Sequence, residues 1–323
     1  MNFFNWLLTP FRWVMSFLMD MFHSFFTLIG MDRDSGWTWT LAIVLVTVTV
    51  RAALIPVFAR QIRAQRAMQV VQPELRKLQQ KYKGKRDQLS QQAMLAEQRA
   101  LFKKHNTSMF ASCMPLLIQM PFFFALFQVL NGSTHAANAN ENIAALSAEK
   151  VRSFHDATIF GARLSDTFVG TLGSGSPKAS VIIVAIILII AMVALMFITQ
   201  RQLMTKNMTP ESQQGQFARQ QRMMMYFLPV VFGIGGINFP LGLLVYWTAT
   251  NMWVLAQQMW VIKHNPTPGS LAEKELNIRR AARGLPPIGQ KDAPAKEENT
   301  KTNQTHVRGQ RIQPQRKNRR KRK

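Results

Sequence analysis

Residues 37–58 read WTWTLAIVLVTVTVRAALIPVF, an apolar stretch long enough to cross a bilayer and broken by one charge, Arg51. An arginine inside hydrocarbon costs roughly 2.5–3.5 kcal/mol on insertion scales and about 10–17 kcal/mol on an isolated helix. By helix rise it lies about 21 Å from Trp37, past the midplane and short of the far headgroups. Simple snorkelling is therefore only partly open to it. An intramembrane charge is first read as a functional group facing protein or water, and second as a snorkelling residue beside a loop.

Four further apolar segments follow, at 109–130, 179–199, 223–237 and 241–262. With 37–58 they predict an all-α integral membrane protein with a five-helix transmembrane core. Pro115 and Pro121 should kink the second span. The fourth is short, about 22 Å by helix rise, and the turn Asn238-Phe239-Pro240 joins it to the fifth. The loop 59–108 carries 12 Lys and Arg against 3 Asp and Glu, 200–222 carries 4 against 1, and 263–323 carries 17 against 5. Segment 131–178 balances at 4 against 4. Basic segments face the cytoplasm, so the first span should start outside and the tail should end inside, in a multi-pass membrane protein.

Residues 1–36 are expected to form an amphipathic interfacial helix and a linker. Asn5, Thr9, Arg12, Ser16, Asp20, His23 and Thr27 recur on one helical face, with Phe, Trp, Leu, Met and Val opposite. A sixth, N-terminal span is the alternative. Within 59–108, Val71, Leu75, Leu78 and Tyr82, then Met94/Leu95 and Leu101/Phe102, predict a cytoplasmic helical hairpin turning at Lys83-Gly84-Lys85. Segment 131–178 is small and polar, with no motif. The tail 263–323 opens on Pro266-Thr267-Pro268-Gly269 and loses its apolar residues, which predicts a basic disordered tail. Seven of its last eight residues are basic: Arg316, Lys317, Arg319, Arg320, Lys321, Arg322 and Lys323. That field suits ribosomal RNA or anionic lipid. Cys113, the only cysteine, is read as a packing residue.

No spacing of His, Cys, Asp or Glu offers a metal site, and there is no nucleophile elbow or phosphate loop, so neither a metal nor a cofactor is expected. The pattern argues against an enzyme. It also argues against a proton-coupled pump, which needs a membrane carboxylate or histidine. Gly233-Ile234-Gly235-Gly236 lies within a span and reads as close packing. Thr47, Gln119, Gln200, Trp247 and Asn251 could line a hydrated cavity around Arg51, although singly each is ordinary helix–helix glue and Trp247 also reads as a belt aromatic.

The stretches Thr47-Val48-Thr49-Val50-Arg51, Gln72-Pro73-Glu74-Leu75, Cys113 to Pro121 followed by Phe124-Ala125-Leu126-Phe127, and Leu241 to Trp247 with Asn251 and Gln257-Gln258 resemble, in order, the YidC family of membrane protein insertases. The match covers about Trp37 to Val261, in the form without a large extracytoplasmic domain. The resemblance implies a hydrophilic groove open to cytoplasm and lipid and closed outside. Arg51 would be its centre, with Thr47, Trp247, Gln200 and Gln119 at polar positions. It also implies an apolar slide, for which Phe123, Phe127, Met225, Phe227 and Val231 are candidates; the bland alternative is lipid-facing surface. Nascent membrane proteins would be the substrates, handled alone or with the Sec translocon. Two other functions fit less of the chain. A small-solute or anion transporter would show repeats, and a membrane-anchored nucleic-acid-binding protein would leave Arg51 without a purpose.

Overall fold

The computed structural model describes residues 3–85, 87–105, 107, 114–210, 213 and 216–288. Within them the architecture is all helical but for one two-residue antiparallel β pair. The chain starts with α1 (Phe3–Leu28) and α2 (Gly36–Ala53). The hairpin α3 (Ile55–Lys81) and α4 (Gln88–Lys104) follows, then α5 (Met114–Ala139). The segment after α5 holds α6 (Ala148–Asp156), β1 (Thr158–Ile159), β2 (Ala162–Arg163) and α7 (Phe168–Gly173). The chain ends in α8 (Ala179–Lys206), α9 (Gln216–Gly236), α10 (Leu241–His264) and α11 (Leu271–Ala281). Among the described residues, α2 and α8 are by themselves long and apolar enough to cross a membrane.

The stretch 37–58 is two helices, not one. Ser35 caps α2, its Oγ accepting from the Trp37 N–H at 3.3 Å. The helix stops at Ala53, and α3 restarts after Leu54 with Pro56 in its first turn. Proline lacks an N–H and fits a first turn, where that donor would have no helical partner. Arg51 thus stands in the last turn of α2 rather than mid-span, where its charge complements the partial negative end of the helix dipole.

The dry core gathers at one end, where α1, α2, α5 and α10 meet the segment 131–178. Trp39, Met15, Met19, Ile43, Leu126, Leu130 and Phe154 fill it. The featureless loop expected for 131–178 is instead a folded cap. Val151, Phe154, Ala157 and Leu164 are buried, because small residues allow close packing and Ser147 and Thr167 cap the short helices. The cap is bound to the start of α10 through main chain. The Leu241 N–H donates to Asp166 O at 3.0 Å and the Gly242 N–H to Leu164 O at 2.8 Å. These are first-turn donors that a helix cannot satisfy internally. Gly36 sits so close under β1 that a Cβ there would lie 2.2 Å from Thr158 O, so the contact requires glycine.

The polar stripe of α1 is turned toward protein. Ser16 and His23 are buried, the Ala145 N–H donates to Ser16 Oγ at 3.0 Å, and Asp20 is paired with Lys150. The outward face carries Trp6, Trp13, Phe17 and Phe25. The α3–α4 hairpin closes on Met68, Val71, Leu75 and Phe102, with Leu78 and Leu101 beside them. The pairs Lys81–Glu97 and His105–Glu74 fix its antiparallel register. The Lys81 ammonium and Tyr82 hydroxyl hold the Glu97 carboxyl below its ordinary range, mainly through the Lys81 hydrogen bond.

The first part of the basic tail departs from the expected disorder. Ser270 caps α11, its Oγ accepting from Glu273, and Thr267, Ser270 and Ala272 are buried. The buried Asn207 side chain accepts from the Thr267 N–H at 3.0 Å. A few buried small residues and a cap suffice for a short helix that a composition argument overlooks. Cys113 and the basic cluster Arg316 to Lys323 lie outside the described residues.

Candidate functional site

Parallel packing of α2 on α10 sets the depth of each side chain. An added Gly242 Cβ would lie 3.6 Å from Ile43 Cδ1, so these two residues are level. Counting turns down both helices, Thr47 lies near Tyr246 and Arg51 near Thr250. Arg51 is 7% exposed, yet it makes no ion pair with any carboxylate among the described residues. Its guanidinium stands 5.2 Å from the centroid of the Phe58 ring, a cation–π distance. The Tyr246 phenol side chain is buried on α10, one turn above Thr250. Gln119 from α5 donates through Nε2 to that phenol at 2.7 Å. A buried cation, a phenol and an amide on three different helices therefore form one polar layer.

An aromatic cluster lies above that layer. The Trp247 ring is 5.1 Å from Phe123 on α5, 4.7 Å from Phe232 on α9 and 5.7 Å from Phe239 in the turn between α9 and α10. Phe127 reaches Phe239 at 5.9 Å. Trp247 thus bridges α5 and α9, the first of which packs on α1 and the second on α8. On the α8 side, Gly233 and Gly236 let α9 approach: a Cβ at either would lie 3.2–3.3 Å from Val193 or Ile189. That is close packing through small residues.

The expected residues are only partly brought together. Thr47 is buried, but its hydroxyl donates to Ile43 O of its own helix at 2.8 Å. Asn251 donates to Trp247 O at 2.8 Å. Both are back-bonded within their helices. Gln200 is half-buried on α8 and makes no hydrogen bond to this set. Tyr246 and Phe232 escaped the sequence reading. The signal for Tyr246 was its place beside Trp247, as one of only 3 tyrosines in the chain. The apolar candidates fall into three groups. Phe123 and Phe127 belong to the aromatic cluster, Met225 is buried against Met204 and Met208, and Phe227 and Val231 face outward.

Chemically the layer offers charge and hydrogen bonds rather than a nucleophile or base. Among the described residues no group of three or more His, Cys, Asp or Glu converges to hold a metal.

Comparison with known proteins is concordant across most of the chain. Residues 30–268 match the family described as 60Kd inner membrane protein. A membrane protein insertase YidC of Streptomyces avermitilis is 41% identical over 274 residues, covering 84% of this chain and 60% of that relative's length. One from Tropheryma whipplei is 36% identical over 305 residues, covering 93% of this chain and 97% of the relative. The membrane protein insertase MisCA of Bacillus subtilis is 32% identical over 230 residues, covering 70% and 72%.

Proposed function

The chain belongs to the 60Kd inner membrane protein family, and on that premise we propose that it is an insertase whose buried cation draws short polar segments of nascent membrane proteins into the bilayer. The carrying observation is Arg51, enclosed between α2 and α10 with no carboxylate among the described residues to neutralise it. A cation held in a recess attracts an acidic terminal tail or loop and shortens the apolar path that the segment must cross. The substrate's own helix then passes into lipid, each buried CH2 contributing about 0.8 kcal/mol. That partition offsets the transfer of the polar segment, and the cycle needs no nucleotide. Aromatic packing around Trp247 favours closure on the outer side, so release would be lateral, between α5 and α9. Phe123, Phe127, Met225, Phe227 and Val231 would meet the apolar helix at different stages, since they do not share one surface. Gln200 and Asn251 would line the wider approach from the cytoplasm. The direct test is reconstitution of the purified protein in liposomes, with protease protection of a short single-span substrate as the readout. Protection no greater than in empty liposomes would reject the reading.

The charge bias supports five spans with the basic segments inside, and this yields an expected labelling pattern. In a Cys113→Ser background, Gln92→Cys should react with an impermeant maleimide only from the cytoplasm and Ser176→Cys only from outside. Asn2→Cys separates an interfacial α1, labelled from outside, from a sixth span, labelled from the cytoplasm. Outside labelling of Gln92→Cys would overturn the orientation.

The terminal cluster Arg316 to Lys323 favours an added role in holding ribosomes through RNA phosphate. About five phosphate contacts to single-stranded-like RNA imply a log–log salt slope of roughly −3.5. Truncation should follow Ile288, because cutting earlier removes the packed helix α11. The truncated protein is expected to lose ribosome co-sedimentation at low salt while still inserting short substrates post-translationally. Unchanged co-sedimentation would leave the tail as a topology signal or an anchor on anionic lipid. Whether the Sec translocon takes part can be read from insertion with and without it in the same liposomes.

A further inference from the structure

A second basic site lies away from Arg51, in a cleft of about 460 Å³ between the C-terminal part of α8 and the N-terminal half of α9. Arg201 and Arg222 stand on its walls, with Phe197, Met204, Met225 and Tyr226 as the apolar lining and Thr205 and Gln213 beside them. The Phe197 and Tyr226 rings pack at 5.9 Å, while Met204 and Met225 form the floor with Met208. Both arginines are exposed, and neither is ion-paired among the described residues. Arg222 donates to the Gln213 carbonyl at 3.5 Å. Glu275, which approaches the same end of α8, is engaged by Lys206 at 3.5 Å.

Position decides what ligand such a cleft meets. Arg201 is about 33 Å along α8 from Ala179 by helix rise, roughly one hydrocarbon thickness. With α8 as a span, the two guanidiniums sit at headgroup level in the leaflet that faces the basic segments. The surface beside them is apolar and outward: Ile198, Met223 and Phe227 are all exposed. Guanidinium pairs match phosphate oxygens geometrically, and basic pockets between spans on the cytoplasmic side are suited to anionic headgroups. We propose that this cleft binds the phosphodiester headgroup of an anionic lipid, with the acyl chains lying along Ile198, Met223 and Phe227. The site rests on α8 being a span and on no part of the insertion mechanism.

The experiment is native mass spectrometry of the full-length protein released from detergent, with phosphatidylglycerol and phosphatidylcholine supplied in equal amounts. The protein should retain phosphatidylglycerol preferentially. In Arg201→Gln/Arg222→Gln that preference should fall about thirtyfold, the factor for two basic residues each worth about 1 kcal/mol near a membrane surface. Exposed glutamines at these positions should leave the thermal midpoint in place. Lys83→Gln/Lys85→Gln removes the same charge from the hairpin turn and should keep the preference, which separates the cleft from general attraction to a basic protein. Retention by Arg201→Gln/Arg222→Gln equal to wild type would overturn the proposal. Displacement of the lipid by millimolar glycerol 3-phosphate would also overturn it, showing a site for soluble phosphate instead. A wild-type protein that prefers phosphatidylglycerol as expected yet fails to insert substrate in liposomes would support this site and count against the groove alone.

Discussion

Arg51→Ala should lower insertion of substrates with acidic translocated segments at least tenfold in the liposome assay, and should affect neutral-tailed substrates far less. The tenfold loss needs only about 1.4 kcal/mol of lost attraction, a modest demand on a cation in a recess shielded from bulk water. Arg51→Lys keeps the charge and should retain part of the activity. It gives up the planar guanidinium that lies over Phe58. The thermal midpoint should move little in Arg51→Ala, because release of a desolvated charge opposes the loss of side-chain packing. A variant that melts like wild type but fails on acidic tails isolates function from fold. Wild-type insertion of acidic tails by Arg51→Ala would remove the cation from the mechanism.

The largest effect on stability is expected at Trp39. Its ring is fully buried, stacks on His23 at 3.9 Å, meets Phe154 edge-on at 5.4 Å and donates through Nε1 to Ser153 Oγ at 3.1 Å. One side chain therefore joins α1, α2 and the outer cap. Trp39→Ala should cost about 3–5 kcal/mol, the usual range for a large aromatic lost from a core. Trp39→Phe should cost less, because much of the ring contact survives and the hydrogen bond is worth about 1 kcal/mol net. Thermal unfolding in detergent separates the two. If Trp39→Ala melts no lower than Trp39→Phe, the three parts do not depend on this joint.

The membrane class and the presence of a lone charge in an apolar stretch were legible because hydropathy and one charge are local properties of a sequence, whereas the depth of that charge was not. The hairpin was legible for the same reason, since Val71, Leu75, Leu78 and Tyr82 keep helical spacing. The break at Leu54 was signalled by Pro56 but masked by the uniform hydropathy of 37–58. The outer cap was not legible. Its buried groups are small or scattered, and its decisive bonds run from Leu164 and Asp166 to residues almost eighty positions away. The polar layer was half legible: Arg51 and Gln119 announce themselves, while Tyr246 acquires a role only when α5 is placed beside α10. The helix in the tail depends on Asn207, sixty residues away from Thr267, which no local reading can supply.

The acceptors that hold the first turn of α10 under the cap are carbonyl oxygens, which every residue type possesses. The side chain at 166 can therefore change without releasing that clamp, whereas Leu164 is also held by its burial in the core, and an insertion or deletion of a single residue between 157 and 166 would offset the pairing. The length of this stretch therefore sets the register between the cap and α10.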